Sequence, residues 1–218
     1  MKLVFLGMPG AGKGTQASRM ANEFDLKHAS TGDIFRAAVK EGSDLGKEVQ
    51  EYLDGGLLVP DELTSRVVED VIVEGYDRYV LDGYPRTLQQ AEDLEEMLGK
   101  RDEELDAVVY FELDEQEATE RLTGRLVCRE CGENYHRKFM PPEKEGVCDK
   151  CGGELVSRSD STLETVTKRL EEYKEKTLPL VAYYEERDLL RSVDASPAPD
   201  DVSEGTRQIL ETLDDGSN

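Results

Sequence analysis

The stretch from Leu3 to Gln16, LVFLGMPGAGKGTQ, constrains this chain more than any other part of it. An apolar run ends in glycines at 7, 10, 12 and 14 around Lys13, and a helical pattern follows to about Phe24. That order predicts a buried strand, a glycine loop and a helix in direct succession. Such a loop turns backbone N–H groups onto a phosphate because no Cβ stands in the way, while Lys13 adds a point charge and the helix N-terminus its dipole. A glycine loop after a strand is often only a tight turn; the lysine at this spacing, with a helix behind it, points to phosphate binding. One position departs from the Walker A pattern, because Gly14 stands where Ser or Thr would follow the lysine.

Further along, HAS (28–30) reads as a short strand, and Thr31 opens an amphipathic helix closed by Gly42. Leu45–Leu53 is helical, and Pro60 and Asp61 start a helix that runs to about Gly75. Tyr79–Leu81 is a short strand ended by Asp82 and Gly83, followed by a helix over about Leu88–Leu98 and a strand in DAVVYFEL. A capped helix reaches Gly124. Residues 162–187 are helical with an interruption near Pro179, LLRSVD is a last strand, and a helix over 202–213 follows. The final DDGSN is expected to be disordered. Strands alternating with helices of this length predict a doubly wound α/β fold, with helices on both faces of a mostly parallel sheet. Ligands bind such a sheet at the carboxyl ends of its strands, where the glycine loop and Asp82 both lie. At 218 residues the chain holds one main core with room for a small insertion.

Asp82, ending an apolar strand, occupies the place of a Walker B acid near a metal, although a lone Asp there can equally cap a turn. All four cysteines form two CxxC pairs: Cys128 and Cys131, sixteen residues, then Cys148 and Cys151. Two such knuckles present four sulfurs tetrahedrally, which predicts structural Zn2+ with no open coordination position. His136 is then surplus to the metal and is read as structural or close to a nucleotide; His28 is given no function. Arg125 and Arg158 flank the cysteine module, and a metal-closed hairpin would bring them together. Arg36, Arg86 and Arg169 lie on or beside elements that carry the phosphate loop's neighbours. Their clustering suits phosphoryl transfer, in which the protein positions and neutralises charge and needs no nucleophile of its own.

Acidic residues number 49 against 27 basic ones, a net charge of −22. Such a surface disfavours nucleic acid and anionic membranes. Together with the absence of Trp and only five Phe, the carboxylate excess suggests adaptation to high salt. No apolar run is long enough for a secretion signal or a membrane span, so the expectation is a cytoplasmic protein.

These motifs together resemble the nucleoside monophosphate kinases, and among them the adenylate kinases with a long, zinc-bearing lid: GMPGAGKGTQ, STGDIFRAAV, LLVPDEL, LDGYPRTLQQ, the Gly124-Arg125 pair, the four cysteines, SRSDS and TVTKRL. The resemblance implies ATP, AMP and ADP as ligands, Mg2+ with ATP, a monomer, and a core (1–29, 60–124 and 159–218) carrying a monophosphate-binding segment (30–59) and a lid (125–158). It implies ATP contacts from Gly10, Ala11, Gly12, Lys13, Gly14, Thr15, Arg125, Asn134 and Tyr135. AMP would meet Thr31, Arg36, Leu57, Leu58, Val59, Gly83, Tyr84, Pro85, Arg86, Gln90, Arg158 and Arg169. Lys13, Arg36, Arg86, Arg125, Arg158 and Arg169 would surround the transferring phosphoryl, and Asp33 and Asp82 would orient the hydrated magnesium. With no hydroxyl directly after Lys13, that metal would be held by phosphates, water and aspartates.

Two positions depart from the family's pattern. Ser161 follows Asp160 where many relatives carry a second acid, and Tyr84 replaces a phenylalanine, which would put a hydroxyl near the monophosphate. A related kinase such as a GTP:AMP phosphotransferase is the nearest alternative, since base preference rests on few contacts. A phosphate-loop switch lacks an NKxD motif here, and a zinc-ribbon nucleic-acid binder conflicts with the charge.

Overall fold

The apolar run at the N-terminus forms β1 (Lys2–Gly7), which passes through the glycine loop into α1 (Lys13–Glu23). β2 (Lys27–Ser30), α2 (Thr31–Glu41), α3 (Asp44–Gly55) and α4 (Asp61–Val73) follow. Next come β3 (Tyr79–Asp82), α5 (Leu88–Gly99), β4 (Ala107–Glu112) and α6 (Glu115–Thr123). After them run β5 (Arg125–Cys128), β6 (Asn134–His136), β7 (Leu155–Ser157), α7 (Leu163–Glu172), α8 (Pro179–Glu185), β8 (Leu190–Asp194) and α9 (Pro199–Asp215). The computed structural model describes residues 1–73 and 76–215.

The main sheet has the order β2-β3-β1-β4-β8, and every pairing in it is parallel. Both faces are covered, which is why β1 is apolar at consecutive positions and not at alternate ones. Leu3 and Phe5 pack with Ala17 and Met20 of α1 and with Val202 and Leu210 of α9. Val4 and Leu6 point the other way, onto Leu94 and Leu98 of α5 and Leu180 and Tyr184 of α8. The register sets Phe5 and Ser30 level with Asp82. One edge of the sheet thus collects the glycine loop, the start of α2 and the turn after Asp82.

Two smaller cores stand apart from these. Phe35, Val49, Val59 and Leu63 pack together around α2 and α3. Cys128, Tyr135, Cys148 and Leu155 form the centre of an antiparallel sheet of order β6-β5-β7. Side-chain caps mark helix starts where the sequence offers them, with Ser30, Ser43, Thr87, Asp114 and Thr162 each accepting a backbone N–H from the first turn.

Three expectations shift. The interruption near Pro179 is a π-helical turn over Tyr173–Thr177, closed by the Leu178 N–H donating to the Tyr173 carbonyl at 2.8 Å. Proline has no N–H to continue the ladder, and the widened turn delivers that misfit one turn early. The last helix begins at Pro199, not 202, because proline serves well as a first helical residue. Asp214 and Asp215 belong to that helix, so the expected disordered tail is wrong for them; residues 216–218 lie outside the described residues, as do the last two of the helix expected to reach Gly75.

Candidate functional site

A cleft of about 800 Å3 opens along the carboxyl edge of the main sheet, between the small core around α2 and α3 and the antiparallel sheet. Gly12 holds φ +82 just before α1, a left-handed conformation that glycine adopts without strain. Gly14 faces Asp82: a Cβ there would sit 3.1 Å from the carboxylate Oδ2. The glycine after Lys13 therefore leaves room beside an acid where a side chain would press on its carboxylate.

The Lys13 ammonium donates to the carbonyls of Gly7 at 2.6 Å and Met8 at 3.0 Å. Burial pushes its pKa down to about 8; Asp82 opposes the shift, and Arg86, Arg169 and Arg125 reinforce it. For Asp82 burial acts upward, but His28, Lys13 and Arg86 together hold the carboxyl below its ordinary range. Asp82 is thus a carboxylate under the glycine loop. His28 was assigned no function from the sequence, yet its Nε2 lies 3.6 Å from Asp82 Oδ2 and it lines the cleft. Only the pairing of β2 beside β3 brings the two together, and neither strand pattern announces it.

At one end of the cleft, the Thr31 hydroxyl and Arg86 Nε both donate to the Gly83 carbonyl, at 2.9 and 2.8 Å. Gln90 is 1% exposed: its Oε1 accepts from the Arg86 N–H, and its Nε2 donates to Asp61, both at 2.7 Å. Leu57, Leu58, Val59 and Pro85 complete that wall. Tyr84 does not belong to it. Its side chain is fully buried and its hydroxyl lies 3.0 Å from Ser65 Oγ, which donates onward to Asp93 at 2.6 Å. Pro85 and Arg86 line the cleft, while the Tyr84 ring packs into the core. The expected hydroxyl near a monophosphate is therefore corrected.

The cations arrive from different elements. Arg125 starts β5 and Arg158 follows β7; the pairing of Leu126 with Ser157 makes them neighbours, as a closed hairpin predicts. Arg169 comes from α7, Arg86 from the turn after β3, and Arg36 from α2, where it pairs with Asp33. Asp160 bridges two of them, 2.6 Å from Arg158 and 2.7 Å from Arg169. Burial, and then the mutual repulsion of the guanidinium groups, lowers the pKa of Arg125, Arg158 and Arg169. They stay charged, because arginine starts far above neutrality. Such a cluster of like charges costs free energy in the protein alone and is offset by a polyanion.

The other end carries Arg121 and Phe139, which sequence reasoning missed, and His136, which it read as structural or close to a nucleotide. Arg121 donates to the carbonyls of Ala195 and Ser196 at 2.8 and 2.9 Å and lies 5.9 Å from the centre of the Phe139 ring. His136 packs against Phe139 with ring centroids 4.6 Å apart and the planes tilted by 35°. With Pro197–Pro199 these groups line that end of the cleft with ring and guanidinium faces, which an aromatic ring can meet. Every predicted nucleotide, phosphoryl and magnesium residue except Tyr84 lines the one cleft.

The adenylate kinase family model matches residues 5–189. Relatives named adenylate kinase include one from Caldanaerobacter subterraneus, 48% identical over 212 residues and covering 96% of each chain. Another, from Moorella thermoacetica, is 50% identical over 200 residues, spanning 91% of this chain and 92% of its own. A third, from Staphylococcus epidermidis, is 44% identical over 98% of this chain and 99% of its own. The chain belongs to the adenylate kinase family.

In this adenylate kinase family chain the four cysteines are the cluster that could hold a metal among the described residues, with all four sulfurs within 4.8 Å of one another. Cys128 and Cys151 lie 3.4 Å apart and Cys131 and Cys148 3.7 Å apart, and none is disulfide-bonded. Zinc–thiolate bonds of about 2.3 Å arranged tetrahedrally separate sulfurs by about 3.8 Å, so the donors fit zinc. The Tyr135 hydroxyl, 3.5 Å from Cys148 Sγ, and the backbone N–H groups of Cys151 and Lys150 favour the Cys148 thiolate against burial, which disfavours it. Tyr135 therefore turns its phenol to the cysteines, and His136, next on β6, faces the cleft. No helix among the described residues is long and apolar enough to cross a membrane.

Proposed function

We propose that this chain catalyses reversible transfer of the terminal phosphoryl group of ATP to AMP, giving two ADP. The observation that carries the reading is the convergence of Lys13, Arg36, Arg86, Arg125, Arg158 and Arg169 on one cleft, with Leu57, Leu58, Val59 and Pro85 at one end and Arg121, Phe139 and residues 195–199 at the other. In-line transfer between two phosphates needs no protein nucleophile. It needs both chains of oxygens aligned and their charge neutralised, which planar guanidinium forks and the N–H groups of the glycine loop supply.

ATP lies with its phosphates on residues 10–15 and its base between Arg121, Phe139 and the 195–199 segment; Arg125, Asn134 and the backbone of Tyr135 close over it. AMP lies against Thr31, Leu57, Leu58, Val59, Gly83, Pro85 and Gln90. Arg36 leaves Asp33 for the phosphate, and Arg158 and Arg169 share theirs between Asp160 and the incoming oxygens. Asp82, held ionised, and Asp33 would hold the hydrated magnesium that enters with ATP, and that ion would help neutralise the phosphate charge.

Segments 30–59 and 125–158 act as bodies that close over the core, and closure excludes water that would otherwise accept the phosphoryl. The lid is of the zinc-stapled kind. The test is a coupled assay of 2 ADP ⇌ ATP + AMP. Arg86→Ala should lower kcat by at least about a thousandfold, in line with what phosphoryl-neutralising arginines contribute. Full activity in that variant would overturn the mechanism. A scattering radius that fails to shrink when both nucleotides are bound would overturn the closure.

A further inference from the structure

Gln16 is 2% exposed and lies one residue beyond the phosphate loop, on the first turn of α1. Its Nε2 donates to the Pro199 carbonyl at 2.9 Å, and its Oε1 accepts from the Ser203 hydroxyl at 2.8 Å. The carbonyl partner fixes the amide's orientation, because a flipped amide would set two acceptors face to face. Arg19, one turn along the same helix, donates to the Pro199 carbonyl at 3.1 Å and to Ser203 Oγ at 2.7 Å. The 195–199 segment is thus pinned at one end by Arg121 and at the other by α1.

We infer that Gln16 is a positioning residue for ATP, fixing the base-contacting segment at a set distance from the phosphate loop. This rests on the seat assigned to the base above. The physical reason is that one helix carries both functions: its N-terminus meets the phosphates, and its first buried amide holds the segment that meets the ring. Losing the amide leaves that segment to Arg19 and Arg121 alone, which loosens it, and leaves the glycine loop intact. The cost falls on the base and spares the phosphates, since ordering a loosened segment on binding weakens affinity.

The test compares binding of ATP with binding of inorganic tripolyphosphate, by calorimetry on the full chain, for Gln16→Leu, Ser203→Ala and Ser203→Thr. Gln16→Leu should weaken ATP by about tenfold, the scale of one or two buried hydrogen bonds. Tripolyphosphate affinity and the KM for AMP should stay unchanged. Ser203→Ala should shift ATP in the same direction by a few fold, and Ser203→Thr, which keeps the hydroxyl, should restore it. Equal losses for ATP and tripolyphosphate would mean a merely structural role and overturn the inference, as would no loss for ATP. Should Gln16→Leu fail to fold, the Ser203 pair decides by the same ratio. If the unaltered protein binds ATP no better than tripolyphosphate, the seat itself is wrong, an outcome separate from any effect of Gln16.

Discussion

Single residues decide two of the outcomes. Lys13 is held near pKa 8 mainly by burial. An anionic phosphate would raise that value, so binding favours the protonated form. Below pH 8 the ammonium is already charged and contributes no pH dependence; above it, each nucleotide bound must take up a proton, and affinity falls as pH rises through 8. Calorimetry at pH 8.5 in buffers of different ionisation enthalpy should show about half a proton or more taken up, and almost none at pH 6.5. Uptake that is equal at both values would remove Lys13 from the phosphate contacts. Tyr84 offers the opposite kind of case, since its hydroxyl faces Ser65 and not the cleft. Tyr84→Phe should cost about 1 kcal/mol of stability, seen as a fall of about 2–4 °C in melting temperature. The KM for AMP should not change; a several-fold change would return the hydroxyl to the monophosphate site.

At the level of elements, the cysteine-bearing segment shows most directly what a sequence can and cannot say. The spacing of Cys128, Cys131, Cys148 and Cys151 is enough to expect a metal staple, because thiolate geometry is local to each knuckle. The core of the cysteine-bearing segment is only Cys128, Tyr135, Cys148 and Leu155 with Leu126 packed against it, too little apolar surface to hold three short strands together alone. Chelating the metal should therefore produce a separate low-temperature transition and raise the KM for ATP by about tenfold or more, with a smaller change for AMP. Zinc should reverse both. One unchanged melting curve with and without chelator would sink the staple. Helices and strands of the core were legible for a similar local reason: each carries its own periodicity, cap or glycine stop. What was not legible depends on pieces distant in sequence. His28 meets Asp82 only through strand pairing, and Arg121 acquires its orientation from carbonyls at 195 and 196, more than seventy residues away. The π turn before Pro179 was visible as a proline but not as a shape, because Thr177 is also drawn to the Arg86 carbonyl at 2.8 Å.

For the whole molecule the governing quantity is the charge of −22. Lys13 and six arginines line the cleft, but acids such as Asp33, Asp82 and Asp160 line it with them, so nearly all of the excess negative charge lies on the outer surface. The observed surface ion pairs, such as Lys47 with Asp44 and Lys168 with Glu164, are exposed, and water screens them so far that they contribute little. They do not offset a long-range repulsion summed over the surface. Salt acts on the two unequally: it weakens those few pairs, but at about 1 M, where the screening length is about 3 Å, it removes most of the repulsion between carboxylates. Melting temperature should therefore rise between dilute buffer and molar KCl, by about 2–4 °C for each kcal/mol of repulsion relieved. The buried cleft charges are screened much less, so the KM for ATP should change far less than it would for a binding site made of exposed lysines. A melting temperature that stays flat or falls would show that the carboxylate surface is not adapted to salt. Sodium chloride at the same ionic strength should give the same rise, because screening depends on the charge of the ions and not on which cation carries it.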